Sequence, residues 1–203
     1  DAADTLIVFL ADHGDGMASH RMVTKQVSLY DETTRVPFMV AGPGIEPGDC
    51  SALISQLDLF PTLCELTGVE GPAGLWGQSL RPLLADADGD AHPYVVSEWH
   101  TEWGFTVSPG RMVRTPRYKY TRYLEGDGEE LYDMLADPGE TRTLIHDPAH
   151  QSALAEHRTI LDRHLAETAD PFLTHSWKAE PRWRSHALGY PHHCGPAAPM
   201  ADG

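Results

Sequence analysis

The chain has 203 residues, 41% of them hydrophobic, enough for the core of one large domain or of one domain plus a smaller one. Acids outnumber bases by 30 to 15, and the formal net charge of −15 argues against a nucleic-acid or anionic-membrane surface, which needs a basic face. No apolar run approaches the ~20 residues of a membrane span, and the three scattered cysteines, Cys50, Cys64 and Cys194, outline neither a disulfide framework nor a CxxC pair.

Thr5 to Leu10 is a continuous apolar run rich in β-formers, the pattern of a strand buried on both faces in the middle of a parallel sheet. It runs into Asp12-His13-Gly14. Ser28 to Thr34 suits a short helix, and Val36 to Val40 reads as a second strand, closed by Gly42-Pro43-Gly44. Asp58 then reads as the N-cap of a helix from Leu59 to Thr67. Pro61 falls in its first turn, Gly68 at its C-terminal cap, and Leu59, Phe60, Leu63 and Leu66 on its apolar face. This βα texture is that of an α/β layer fold.

The acidic break Asp86 to Asp90 separates a different texture. Tyr94–Trp99, Arg111–Thr115, Tyr118–Tyr123 and Glu130–Met134 read as short strands, and "RTPRYKYTRY" alternates like a half-exposed antiparallel strand. Asp147-Pro148 starts a helix lined by Leu154, Leu161 and Leu165, which Asp170-Pro171 ends. From Phe172 the chain loses periodicity and reads as an irregular tail over the surface. Three segments are expected: residues 1–88, 89–170 and 171–203. The aromatics Trp99, Trp103, Tyr118, Tyr120 and Tyr123 suit packing of the small sheet better than stacking on a sugar. His192-His193-Cys194 suits a solvated tail better than a metal site.

In open α/β sheets, sites lie beyond the carboxyl ends of strands, which is where Asp12 and His13 stand. A carboxylate and an imidazole are ordinary ligands of a divalent cation, and Gly14 lets the chain turn away. By themselves these residues suit an ordinary strand-end turn better, and two ligands are too few for calcium or magnesium, which takes about six.

Three segments in order carry a resemblance. Asp12-His13-Gly14, Lys25, Tyr30-Asp31, Arg35-Val36-Pro37 and Gly42-Pro43-Gly44 make up the first; "DLFPTLCELTGV" and "ELYDMLADPGETRTL" follow. Together they resemble the sulfatase family of the alkaline-phosphatase-like superfamily, over its C-terminal half only. The resemblance implies part of a mainly parallel sheet with helices, plus a small antiparallel sheet and a C-terminal helix. It implies hydrolysis of a sulfate ester on a small molecule or saccharide. Asp12 and His13 are implied as ligands of Ca2+ or Mg2+, and Lys25 as the catalytic residue that binds sulfate. His20 and His100 are candidate substrate contacts; a plain surface role for each stays open. Tyr30, Asp31 and Arg35 are expected to be structural, with an Arg–carboxylate pair tying the helix to the next strand.

No C/S-x-P-x-R motif, the family's source of formylglycine, occurs in the chain. The nucleophile and the remaining metal ligands are therefore expected from an upstream half of the same polypeptide, and this chain by itself is expected to be inactive. Alternatives are a phosphonate monoester or phosphodiester hydrolase of the same superfamily, a non-catalytic fragment, and a simple calcium-binding domain. Periplasmic or secreted placement fits the family.

Overall fold

The computed structural model describes residues 4–22, 28–89, 91–99, 109–124 and 128–173. The chain divides into two compact units, residues 1–12 with 36–95, and residues 13–35 with 96–203. Among the described residues no helix is long and apolar enough to cross a membrane.

In the first unit, β1 (Ile7–Leu10) pairs antiparallel with β2 (Phe38–Ala41), Ile7 opposite Ala41 and Leu10 opposite Phe38. The antiparallel pairing differs from the parallel neighbour expected of this strand, while exposed apolar surface is what it is expected to show without the rest of its sheet. Ile7, Phe9 and Met39 are 62%, 56% and 58% exposed. The apolar run records a layer meant to be covered, but two strands supply neither flanking neighbours nor a second face.

α2 (Leu59–Thr67) follows as its sequence predicts, with Pro61 in the first turn and Gly68 closing it at φ 70°, a conformation glycine adopts without steric cost. The cap differs from expectation. Asp58 is the last residue of a 3-10 turn, Gln56–Asp58, and the capping residue is Ser55. Ser55 Oγ accepts from Leu57 N at 3.2 Å, while Asp58 Oδ2 accepts from Ser55 N at 2.7 Å. Asp58 is fully buried, and Oδ1 also accepts from Gln78 N at 2.9 Å. His92 Nε2 stands 2.9 Å from Oδ2. One carboxylate thus holds the start of α2, the loop before α3 (Arg81–Ala85) and His92 together. On α2 the buried side chains are Thr62 and Cys64, and Phe60 is exposed, contrary to the apolar face expected. Thr62 Oγ1 explains its burial: it donates to Asp58 O and accepts from Leu80 N.

The second unit contains α1 (Asp31–Thr34), shorter than predicted, and a four-stranded sheet in the order β3 (Val95–Trp99), β4 (Gly110–Arg114), β5 (Tyr118–Tyr123), β6 (Glu129–Asp133). Neighbours among β4, β5 and β6 are antiparallel. α4 (Gln151–Glu167) packs against β4 and β5 and buries Leu154, His157, Leu161 and Leu165. A 3-10 turn, Pro148–His150, leads into it and is capped by Asp147, whose Oδ1 accepts from Ala149 N at 2.9 Å; α4 itself begins after His150 without a side-chain cap.

β5 is mostly buried rather than half-exposed, because both its faces are covered. Tyr118, Tyr120 and Arg122 face α4: Tyr118 meets the His157 ring edge-on, and Arg122 Nη1 donates to Asp162 Oδ1 at 2.7 Å. The opposite face carries Lys119, 1% exposed, with Nζ 2.9 Å from both Asp31 Oδ1 and Glu140 Oε1. Lys119 therefore takes the role expected of Arg35, which is exposed. Burial raises the Glu140 carboxyl to about 7, against the pull of Lys119. On the same face Met22, Tyr30, Tyr132 and Met134 form a core cluster. Tyr30 Oη donates to Glu130 Oε1 at 3.1 Å.

Phe172 is 1% exposed, so the chain is still part of the core where a surface tail was expected to begin. Arg111 lies 4.8 Å over its ring and binds Asp170 through two nitrogens, at 2.6 and 3.0 Å. Burial alone would raise the Asp170 carboxyl, but the bonds from Arg111 and from Phe172 N–H hold it below its usual range. The His192-His193-Cys194 run lies outside the described residues.

Candidate functional site

β1 delivers Ala11 and Asp12 to the end of the first unit's strand. Gln56 Nε2 donates to both carbonyls, at 2.8 and 3.0 Å, and so pins the backbone where the strand stops.

His13 opens the second unit. Its Nδ1 lies 2.8 Å from Gly14 O. A carbonyl can only accept, so Nδ1 carries a proton; in the neutral ring the lone pair then belongs to Nε2, the form of imidazole that ligates a cation. Gly14 is needed for close approach rather than for a left-handed turn. A Cβ there would lie 1.9 Å from Glu32 O, and Gly14 N donates to Thr33 O at 2.9 Å. Gly14 is therefore clamped against α1. Asp15 Oδ1 accepts from Met17 N at 3.2 Å and shapes the turn that follows.

Residues 17–22 form a strained segment. Met17, Ala18, His20 and Arg21 have φ values of 45°, 77°, 47° and 61°. Each costs about 1 kcal/mol or more for a residue with a Cβ, so the surroundings must hold them. Ala18 N donates to Met22 O and Met22 N to Ser19 O. Met22 is fully buried, and the His20 ring stacks on Tyr30, centroids 3.8 Å apart and nearly parallel at 4°. His20 Nε2 is 3.7 Å from Glu32 Oε2, a buried oxygen without a hydrogen-bond partner among the described residues. His20 is thus held mainly by packing, its side chain 15% exposed. Lys25 and His100 lie outside the described residues.

Among the described residues no three His, Cys, Asp or Glu side chains gather in a way that could hold a metal ion. A carboxylate and an Nε2 lone pair suit a hard divalent cation as two of its ligands.

Residues 18–167 match the family described as N-sulphoglucosamine sulphohydrolase, C-terminal. The chain belongs to the sulfatase family. It is 54% identical over 200 residues to a Delta 4,5-hexuronate-2-O-sulfatase of Bacteroides thetaiotaomicron, covering 96% of this chain and 42% of that protein. A solved 2-O GAG sulfatase superposes with a TM-score of 0.81 at 54% identity, over 90% of this chain and 40% of the other. A phosphonate monoester hydrolase from Silicibacter pomeroyi gives a TM-score of 0.68 at 29% identity, over 80% and 35%. The chain thus spans about two fifths of the length of these two sulfatases. The alkaline-phosphatase-like fold expected from the resemblance is that of its structural neighbours.

Proposed function

We propose that this chain is part of a sulfatase that removes the 2-O-sulfate of a Delta 4,5-hexuronate, a sulfated sugar acid. The observation carrying this reading is the 54% identity across 96% of the chain to a Delta 4,5-hexuronate-2-O-sulfatase. The His13 hydrogen bond is compatible with a metal-ligand role, since Nδ1–H donating to Gly14 O leaves Nε2 as the ring nitrogen that could ligate.

In this reading Asp12 and His13 are two ligands of a calcium or magnesium ion. The cation supplies Lewis acidity toward the sulfate oxygens, and an upstream formylglycine supplies the nucleophile. Gly14, packed on α1, keeps His13 from swinging. Lys25 binds the sulfate and neutralises charge that develops on its oxygens in the transition state, the electrostatic kind of catalysis. His20 and His100 touch the sulfate or the sugar. An upstream half of the same polypeptide completes the coordination sphere and covers the layer in which Ile7, Phe9 and Met39 stand in solvent. The core segment ends near residue 88 and a smaller subdomain follows to about 170.

The test is the full-length protein assayed on a Delta 4,5-hexuronate 2-O-sulfate, a phosphonate monoester and a phosphodiester. The sulfate ester is expected to give the highest kcat/KM, and Asp12→Asn, His13→Ala and Lys25→Ala each to lower kcat by at least about 100-fold. Higher kcat/KM on the phosphonate or the diester would replace the sulfatase reading with that of the phosphonate hydrolases.

A further inference from the structure

We propose that Glu140, together with Lys119, is a positioning residue for His13: it fixes α1, and α1 fixes the backbone that orients the His13 ring. This deepens the reading of His13 as a cation ligand and rests on it.

The contacts run without a break through the second unit. Glu140 Oε2 accepts from Asp31 N, at the first residue of α1, at 2.7 Å. Glu140 Oε1 stands 2.9 Å from Lys119 Nζ, which also donates to Asp31 Oδ1 at 2.9 Å. Further along α1, Thr33 O accepts from Gly14 N at 2.9 Å, and Glu32 O occupies the space that a Cβ on Gly14 would need. Gly14 O in turn accepts from His13 Nδ1 at 2.8 Å. The partner that orients the imidazole is therefore a backbone carbonyl, and its orientation is only as firm as the seat of Gly14 on α1.

α1 needs help to be a firm seat. It has four residues, far fewer than a helix needs to hold itself together in water. Tyr30, at its N-cap, makes no side-chain capping bond. Tyr30 is tied into the core and to Glu130, but the acceptor for Asp31 N is Glu140, 109 residues away, which does the work of a cap from another part of the chain.

Stability alone does not account for this arrangement. The Lys119 and Glu140 side chains are each 1% exposed, and the cost of taking such a pair out of water offsets much of its attraction. Glu140 also has φ 51°, a strained backbone for a residue with a Cβ, and burial raises its carboxyl to about 7. Apolar side chains of similar volume would fill the space at little loss of stability. They would leave Asp31 N without its acceptor and α1 without its anchor.

The experiment measures Ca2+ binding to the full-length protein by isothermal titration calorimetry, with circular dichroism confirming that each variant is folded at the titration temperature. Glu140→Ala is expected to weaken Ca2+ binding by about 10-fold, the scale on which partners that orient a metal-binding imidazole act. Glu140→Gln keeps an acceptor for Asp31 N and is expected to stay within about twofold of the wild type. A merely structural role would lower the unfolding temperature of Glu140→Ala and leave the Ca2+ affinity of the folded protein unchanged. Where Glu140→Ala does not fold, Glu140→Asp is the reporter: its carboxylate falls one methylene short of Asp31 N, and its affinity is expected to drop by about three- to tenfold. Unchanged affinity in the folded Ala or Asp variant, or an equal loss in Glu140→Gln, overturns the positioning role while leaving His13 as a ligand. A His13→Ala variant that binds Ca2+ as tightly as the wild type overturns the ligand reading and this proposal with it.

Discussion

β1 and β2 leave Ile7, Phe9 and Met39 in solvent, whereas in the other unit both faces of β5 are covered, one by α4 and the other by the Met22, Tyr30 and Asp31 segment. The sequences look the other way round. The first strand is an unbroken apolar run and the second alternates aromatic and basic residues. The difference teaches that apolar content states what a strand is built to meet, while burial depends on what is present to meet it. β5 obtains its cover from a helix and a segment within this chain, and its cations are then paired one by one.

The comparison breaks first at the buried ion pair. Asp170→Ala strands Arg111, whose side chain is 4% exposed, and is expected to cost about 3–5 kcal/mol in urea unfolding. A loss below about 1 kcal/mol would mean that this end of the second unit is loosely held. Leu161→Ala, at a fully buried α4 position, is expected to cost about 2–5 kcal/mol by the same measurement.

Glu140 supplies a pH dependence. Its folded pKa, about 7, lies above its ordinary 4.5, so between these values the folded chain keeps a proton that the unfolded chain has released. Stability therefore falls as pH rises through that window, by on the order of 3 kcal/mol, and Glu140→Gln is expected to flatten this component. Thermal melts from pH 4 to 8 on both proteins would detect it; an unchanged slope in the variant would assign the dependence elsewhere.

In the first unit Asp58→Ala removes the acceptor shared by Ser55 N, Gln78 N and His92 and is expected to cost about 2 kcal/mol. The smallest effect belongs to the open layer. Phe9→Ser, at a 56% exposed position, is expected to change the stability of this chain by less than about 0.5 kcal/mol. The same substitution in the full-length protein sharpens the contrast: a loss of several kcal/mol there would mark the layer as covered by chain outside this one.

Much of the fold was legible because it is local. The α2 helix follows from proline in its first turn and Gly68 at its cap, α4 from the Asp147-capped 3-10 turn that leads into it and leucines at helical spacing, and the strands of the small sheet fall within a residue or two of their predicted limits. Asp12 and His13 were legible as residues just past a strand end, because the apolar run stops before them. The pairing of Lys119 with Asp31 and Glu140 was not, since its partners are 88 and 21 residues distant in the chain. Nor was the stack of His20 on Tyr30, which depends on a strained backbone that no composition signals.

The sequence by itself determined which segments become helices and strands, that the surface is acidic, and which family the chain joins, because caps, periodicity and motif order are written in neighbouring residues. Only the tertiary structure decided that β1 pairs antiparallel with β2, that Gly14 is forced by the Glu32 carbonyl, and that Arg21 is exposed between two anchored neighbours. Those features are set by contacts between segments distant in the chain, where the geometry of one surface fixes what the other can be.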